Sequence, residues 1–124
     1  MIINRLKMHN FGVYASDNTF TFNSQKPVVL IGGMNGRGKT TFLEAILLAL
    51  YGKNSFAVQE SIYGAYGNYL KAHTNTADET LESFVELEFS VEEDNETNCY
   101  TVNRSWNLNN KYVKDKVSVK KNGN

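Results

Sequence analysis

The chain has few of the residues that constrain a fold covalently. Its 124 residues include one cysteine, Cys99, and one proline, Pro27. A single cysteine excludes an intramolecular disulfide and favours a reducing compartment, so we expect a cytoplasmic protein. Because Cys99 lies among strand-like residues, we interpret it as an inert packing residue rather than a catalytic thiol.

Long apolar runs are also missing. The longest one, around residues 46–50, is too short to span a membrane. At the start of the chain, charged residues interrupt the apolar core that a signal peptide requires. The sequence therefore predicts a protein that has no membrane among its partners.

Neither sign of charge predominates, since 13 basic residues balance 13 acidic ones. The two signs are nevertheless separated along the chain. Residues 78–96 carry nine acidic residues and no Lys or Arg, whereas residues 104–124 carry six basic residues and one acidic residue. The basic segment could contact a nucleic acid backbone. More often, such charges keep half-exposed strands hydrated, and the sequence leaves both interpretations open.

The most informative motif that is present spans residues 33–40 and reads Gly-Met-Asn-Gly-Arg-Gly-Lys-Thr. It matches the phosphate-binding pattern of two glycines separated by four residues and followed by Lys and Ser or Thr. The glycines let the backbone curl so that successive N–H groups point at phosphate oxygens. Lys39 would add positive charge near the outer phosphates, and Thr40 would offer its hydroxyl to Mg²⁺. The motif predicts a nucleoside triphosphate site.

The residues on both sides of the motif favour the same interpretation. Residues 27–31, Pro-Val-Val-Leu-Ile, predict a short buried strand that begins at the proline. Residues 41–51 are rich in helix formers and are followed by Gly52, which predicts a helix that ends there. Because this helix is apolar on nearly every face except at Glu44, we expect it to lie in the interior. Its N-terminal N–H groups and positive dipole end would face the phosphates.

Elsewhere in the first two thirds of the chain the patterns are weaker. Alternation of polar and apolar residues predicts strands at residues 3–9 and 19–22, joined through a turn at residues 15–18. Between residues 54 and 76, a tyrosine recurs every third position, which predicts either a short helical face or an ordered loop. These tyrosines could form a stacking platform for bases, although packing against the core is the more common role. They are Tyr63, Tyr66 and Tyr69.

The last third of the chain predicts an antiparallel β meander. Residues 84–91 predict a strand, in which residues 85–91 alternate between apolar and polar side chains, and residues 92–98 form a polar turn. A return strand follows around residues 100–106, and a looser alternation continues to residue 119. Asn122-Gly123 is a strong signal for a hairpin turn, so we expect the natural chain to continue into another strand.

Residues that would hydrolyse a nucleotide are missing from the sequence. A P-loop enzyme normally has an acidic residue at the end of an apolar strand and a group that positions the attacking water. No run of four apolar residues in this chain ends in Asp or Glu. His9 and His73 lack the spacing of a metal site or a catalytic triad, which favours solvated or core histidines. We therefore expect no catalytic residue in this segment, which would bind a nucleotide without hydrolysing it alone.

These residues together resemble the head domains of the SMC and Rad50-like ATPases, a branch of the ABC ATPases. The motif has the family's form Gly-x-Asn-Gly-x-Gly-Lys-Thr-Thr, with Asn35-Gly36 inside it and Thr41 after it. Residues 3–11 look like the family's first strand, which closes on Asn-Phe, and residues 100–104 look like its antiparallel lobe. Within the family, residues 30–52 are most similar to the DndD branch, the ATPases of bacterial DNA phosphorothioate modification.

The resemblance implies the fold class and the domain organisation. The fold would be an α/β P-loop NTPase, the N-terminal lobe of an ABC/SMC head, with a mixed sheet around the P-loop helix and an antiparallel β meander. Residues 1–124 would form a single partial domain. Its parts would be the strands, P-loop and helix of residues 1–53, a helical or loop segment of residues 54–80, and the meander of residues 81–124, before a C-terminal lobe.

The resemblance also implies roles at the site. Asn35 would contact the γ-phosphate side, Lys39 would bridge β and γ oxygens, and Thr40 would ligate magnesium. Thr41 would reach the α-phosphate. The full nucleotide-binding set would be Gly33, Asn35, Gly36, Arg37, Gly38, Lys39, Thr40 and Thr41.

Two positions depart from the family. Where Rad50 members often carry an Arg that touches the nucleotide, this chain has Gly12, so the contacts to adenine and ribose are unassigned. Family members also have a glutamine that contacts the metal. It is unassigned in this chain, because Gln59 comes too soon after the P-loop and no later Gln exists.

The implied ligands are ATP and Mg²⁺. The implied partners are the C-terminal lobe of the parent chain, a second head in a homodimer, DNA, and other DNA-modification proteins. Hydrolysis would need the absent lobe and the second head. Three alternatives share the motif: the nucleotide-binding subunit of an ABC transporter, a small-molecule kinase with Arg-rich lids, and a folded fragment without activity.

Overall fold

The structure is a computed structural model that describes residues 1–22, 36–77, 80–109 and 112–124. For residues 36, 37 and 57 it describes the backbone alone. The predicted strand at residues 27–31 and the first three residues of the glycine motif lie outside the described residues.

The described residues form one antiparallel sheet of five strands, ordered β2-β1-β3-β4-β5. The first, third and fourth strands in the chain bury residues on one face, as expected for a sheet that is covered on one side, whereas the last strand is exposed throughout. The strands are β1 (Ile2–Phe11), β2 (Tyr14–Thr21), β3 (Glu82–Glu93), β4 (Glu96–Asn107) and β5 (Lys116–Lys121). The predicted meander is therefore confirmed, while the predicted mixed sheet remains a prediction because every described strand pair is antiparallel.

The principal helix of the described chain is α1 (Gly36–Tyr51). It ends where predicted, because Gly52 adopts a positive φ of 57° that other residues rarely accept. A short 3-10 helix (Gly52–Asn54) follows, and then α2 (Phe56–Gln59), whose first turn is capped by the Ser55 hydroxyl as it accepts a hydrogen bond from the Val58 N–H. Helix α3 (Tyr66–Ala72) is the last of the described helices. No described helix is long and apolar enough to cross a membrane.

The core lies between α1 and one face of the sheet. Register places Leu6 opposite Leu87, and Leu87 opposite Val102, so that all three side chains point to this face. From α1, Phe42 and Leu48 are fully buried against it. Burial of each such side chain contributes roughly 1.5–3 kcal/mol, so this contact anchors α1 to the sheet.

The first hairpin differs from the prediction. The turn expected at residues 15–18 is wrong, since these residues belong to β2 and the chain reverses at residues 12–13. Gly12 permits the tighter reversal with a φ of 56°. Buried Asn10 stabilises it, because its side-chain oxygen accepts a hydrogen bond of 2.6 Å from the Ser16 N–H. The hydrogen bond to the Asn10 side chain thus stabilises a two-residue turn in place of the longer polar turn that was predicted.

Of two further predicted turns, one is tighter than its pattern indicates and the other is as predicted. The polar turn predicted at residues 92–98 consists of Asp94 and Asn95 alone, with φ values of 50° and 66°. Positive φ at both positions is typical of the two-residue type I′ turn, whose twist matches the paired strands. At Asn122-Gly123 the predicted turn is confirmed, because Lys121 and Asn124 exchange backbone hydrogen bonds of 3.1–3.2 Å.

Candidate functional site

The described part of the glycine motif forms the first two turns of α1. Gly36, Arg37 and Gly38 open the helix, and Lys39 and Thr40 follow with exposed side chains. Gly33 and Asn35 lie outside the described residues. The first N–H groups of a helix have no partner within it and carry the positive end of the helix dipole. This end of α1 therefore has the chemistry of an anion site.

Thr41 differs from Lys39 and Thr40 because it is buried, with 7% of its surface exposed. Its side chain lies directly against the backbone of Gly12, and a Cβ at Gly12 would clash with the Thr41 methyl and hydroxyl groups. The turn between β1 and β2 thus packs on the second turn of α1. This contact also explains the departure at Gly12: the positive φ and the space taken by Thr41 leave no room for a side chain there.

Tyr14 makes a second contact between this hairpin and the start of α1. Its hydroxyl donates a hydrogen bond of 3.2 Å to the carbonyl oxygen of Gly38. Burial raises the pKa of this hydroxyl above 10.0, so it remains a donor at neutral pH. The Tyr14 ring packs edge-on against Phe20, which packs edge-on against Phe42 of α1. An aromatic cluster therefore holds the hairpin beside the glycine motif.

The third turn of α1 carries Glu44, which pairs with His73 just after α3. The Nε2 atom of His73 lies 2.7 Å from a Glu44 carboxylate oxygen. The Tyr69 hydroxyl donates a hydrogen bond of 3.1 Å to the same oxygen. The hydrogen bond from His73 lowers the pKa of Glu44 below 4.5, while partial burial opposes this shift.

His73 itself has acceptors at both ring nitrogens. Nδ1 lies 2.9 Å from the Tyr69 carbonyl oxygen, and Nε2 faces Glu44. Burial alone would lower the pKa of His73, but the hydrogen bonds to Glu44 and to this carbonyl raise it above 6.5 overall. The protonated ring can donate to both acceptors, so these contacts favour its charged form.

The opposite end of α1 is closed by Arg104 from β4. Its Nε donates a hydrogen bond of 3.0 Å to the Ala49 carbonyl, and its Nη1 lies 2.9 Å from the Asp115 carboxylate. Asp115 also accepts a hydrogen bond of 2.6 Å from the Tyr66 hydroxyl. A cation at the C-terminus of a helix is favoured by its dipole. Arg104 is therefore a helix cap, which corrects its inclusion in a basic segment open to nucleic acid.

These contacts also bear on the predicted roles of the histidines and tyrosines. The His73 side chain is 18% exposed and stacks on Phe11 and Tyr69, as a core histidine does, while the His9 ring lies 2.7 Å from Asp17. Tyr69 is 2% exposed, so packing rather than base stacking is confirmed for it. Sequence reasoning missed the Glu44–His73 pair and Tyr14. The only local signal was that Tyr69 and His73 are four residues apart, as in stacked helical pairs.

Described acidic and metal-binding side chains do not gather near the motif. Across the described ranges, no group of three or more His, Cys, Asp and Glu residues could hold a metal ion. An exposed Thr40 hydroxyl still suits Mg²⁺, which usually takes one or two protein oxygens together with water and phosphate oxygens. The residues present thus fit a metal that arrives with its nucleotide.

Comparison with known proteins identifies the family. A family model described as an AAA domain matches residues 5–124. One subunit of the nuclease SbcCD from Treponema pallidum (strain Nichols) is 36% identical over 101 residues, which make up 82% of this chain and 9% of that protein. The chain therefore spans a small part of the relative's length. Both matches support the resemblance to SMC/Rad50-like ATPases, and neither bears on the narrower DndD resemblance. The chain belongs to the AAA domain family.

Proposed function

We propose that this chain is the N-terminal ATP-binding lobe of a DNA-processing SMC/Rad50-like ATPase. The observation that carries the proposal is the start of α1, where Lys39 and Thr40 are exposed on the first turns of a 16-residue helix that opens on a glycine motif. The sheet and the first hairpin pack on the rest of this helix. Phosphate groups would therefore meet a positively polarised helix end that is packed on the sheet.

Each site residue has a role in this proposal. Lys39 binds the outer phosphates, Thr40 ligates Mg²⁺ and Thr41 contacts the α-phosphate. The backbone of the remaining set completes the cradle: Gly33, Asn35, Gly36, Arg37 and Gly38. Hydrolysis requires groups from a C-terminal lobe and a second head, because the chain lacks an acidic strand end that would position water and metal.

Substitution of Lys39 tests the nucleotide site. Lys39→Ala should weaken binding of a fluorescent ATP analogue with Mg²⁺ by roughly 10- to 100-fold, because a charged hydrogen-bond donor to phosphate is lost. Lys53→Ala is the matched control, since Lys53 is also exposed but lies beyond the other end of α1. Equal affinity of wild type and Lys39→Ala would overturn the site assignment. ATP turnover by the chain above that of Lys39→Ala would overturn the requirement for a second lobe.

The narrower role is a proposal that rests on the glycine motif and its helix. Their similarity to the DndD branch favours a part in DNA phosphorothioate modification, together with other DNA-modification proteins. The relative's name instead favours a role within a nuclease. Lys39→Ala in the parent protein, within its own cell, distinguishes the two. Loss of phosphorothioate linkages, detected by iodine cleavage of DNA, supports the first role. Unchanged linkages with loss of ATP-dependent nuclease activity overturn it.

A further inference from the structure

The Glu44–His73 pair joins the phosphate-binding helix to the segment after α3. Both side chains are largely buried, with 25% and 18% of their surfaces exposed. Both ring nitrogens of His73 have an acceptor within hydrogen-bonding distance, at 2.9 Å and 2.7 Å, so the protonated ring is held on two sides. The pair is therefore suited to holding elements together rather than to chemistry.

His73 also holds the turn between β1 and β2. Its backbone carbonyl accepts a hydrogen bond of 2.6 Å from the Gly12 N–H, and its ring stacks on Phe11 at 5.8 Å between centroids. Gly12 in turn lies against Thr41. One residue thus contacts α1 through its side chain and, through its backbone, the hairpin that packs on the glycine motif.

Glu44 occupies a sensitive position on α1. It lies four residues after Thr40, so the two residues are neighbours on one helix face, one turn apart. A change in the position of Glu44 would tilt or rotate the turn that carries Lys39 and Thr40. Since phosphate binding depends on the placement of N–H groups within a fraction of an ångström, the pair can influence affinity without touching the ligand.

We propose that His73 is a positioning residue for nucleotide binding, which acts through Glu44 and Gly12 and strengthens the binding of nucleoside triphosphates when its ring is protonated. This inference rests on the function proposed above.

Within the described part of the chain, three titratable groups face His73: Glu44 from α1, Tyr69 from α3 and Tyr63 from the preceding turn. Burial and the neighbouring Glu44 raise the pKa of Tyr69, so it stays neutral. The pKa of His73 is raised and that of Glu44 is lowered. The charged pair therefore exists from below pH 4.5 to above pH 6.5 and is lost as the pH rises through the pKa of His73.

The test measures the affinity of the 124-residue chain for a fluorescent ATP analogue with Mg²⁺ from pH 6 to pH 9. Wild type should lose roughly threefold to tenfold in affinity across this range relative to His73→Gln, which should also bind more weakly at pH 6. Glu44→Gln should behave like His73→Gln. The ionisation of ATP affects every variant alike, so the difference between variants is the signal. His9→Gln is the matched control, because His9 also pairs with a carboxylate, at 2.7 Å, and is similarly exposed.

A second measurement distinguishes positioning from simple stability. If protonation of His73 favours the nucleotide, the nucleotide must favour protonation of His73 by the same factor. The His73 ring signals, followed by NMR, should therefore titrate at higher pH when the analogue is bound. Identical His73 titrations with and without nucleotide would overturn the proposal.

Failure of the proposed function has a different signature. If neither wild type nor Lys39→Ala binds the analogue at any pH, the nucleotide site itself is wrong and this inference falls with it. If wild type binds and Lys39→Ala does not, but Glu44→Gln keeps the wild-type pH profile, the inference alone is overturned. Amide hydrogen exchange at residues 40–44 without nucleotide should be faster in Glu44→Gln than in wild type, and equal protection would contradict the positioning role.

Discussion

The two ends of α1 differ in the charged groups that lie beside them. At the C-terminal end, Arg104 binds the Ala49 carbonyl and Asp115, and Gly52 reverses the chain beneath the guanidinium group. At the N-terminal end, Lys39 and Thr40 are exposed on the first turns. One end is neutralised by the protein's own charges, while the other presents a positive side chain beside a positive dipole end. The contrast separates a structural terminus from one suited to an external anion.

The largest expected effect comes from removing the ion pair at the C-terminal end of α1. Arg104→Met should lower the free energy of unfolding by about 3 kcal/mol, because it leaves the partly buried Asp115 carboxylate without its cation. Urea denaturation measures this change. Arg5→Met is the control, since Arg5 lies on the open face of the sheet and its ion pairs at 3.4 Å are more exposed, which limits the loss to less than about 1 kcal/mol. Equal losses for both variants would contradict the special role of Arg104.

A smaller loss of stability is expected where the first hairpin packs on the N-terminal turns of α1. Gly12→Ala should cost about 2–3 kcal/mol, because alanine tolerates the positive φ poorly and its Cβ would displace Thr41. Gly64→Ala provides the comparison: Gly64 has a φ of 71°, but nothing lies within 4 Å of an added Cβ, so that only the backbone cost of about 1 kcal/mol applies. If thermal unfolding finds the two variants equally stable, the contact between Gly12 and Thr41 contributes nothing.

The Glu44–His73 pair should contribute less, and in a limited pH range. His73 has a raised pKa, so its contribution is complete below pH 6.5 and is lost as the pH rises through the folded-state pKa. Glu44 has a lowered pKa, so its contribution is present above pH 4.5 and is lost as the pH falls through its folded-state value. The stability of wild type relative to His73→Gln should therefore be greatest between pH 4.5 and 6.5, by about 1 kcal/mol or less. A difference that is constant from pH 4 to pH 9 would contradict this.

The smallest loss of stability is expected for a change at Lys39, near the N-terminal end of α1. Lys39→Ala should change the free energy of unfolding by less than about 0.5 kcal/mol, because the side chain is exposed. The same variant should lose nucleotide affinity, as proposed above. Chemical denaturation of the nucleotide-free chain measures the first effect. A large loss of stability would show that the two ends are less different than their contacts indicate.

Much of the local structure could be predicted because it depends on neighbouring residues. The end of α1 at Gly52 follows from one glycine after a run of helix formers. The buried face of β3 follows from strict alternation, since Val85 and Leu87 are both buried. By contrast, the first turn was misplaced because the Asn10 side chain reaches Ser16, and a pattern of alternation carries no information about such a bond.

The candidate site divides in the same way. Chain order alone puts Lys39, Thr40 and Thr41 on the first turns of one helix, since a glycine motif and a helix are both local. The partners of that helix come from distant segments: Gly12 from the first hairpin, His73 from the end of α3 and Arg104 from β4. No spacing in the sequence relates these residues to α1. The sequence therefore shows that these residues are present but does not predict that they contact α1.

The sequence by itself determined the glycine motif, the helix that follows it and the apolar faces of the strands, because each depends on residues within a turn or a strand of one another. Only the tertiary structure decided which charged side chains form ion pairs and hydrogen bonds within the protein. It placed Arg104 on the C-terminal carbonyls of α1 and His73 on Glu44, whereas Lys39 was left exposed. The physical reason is that long-range charge pairing depends on the packing of α1 against the sheet, which brings distant segments within hydrogen-bonding distance.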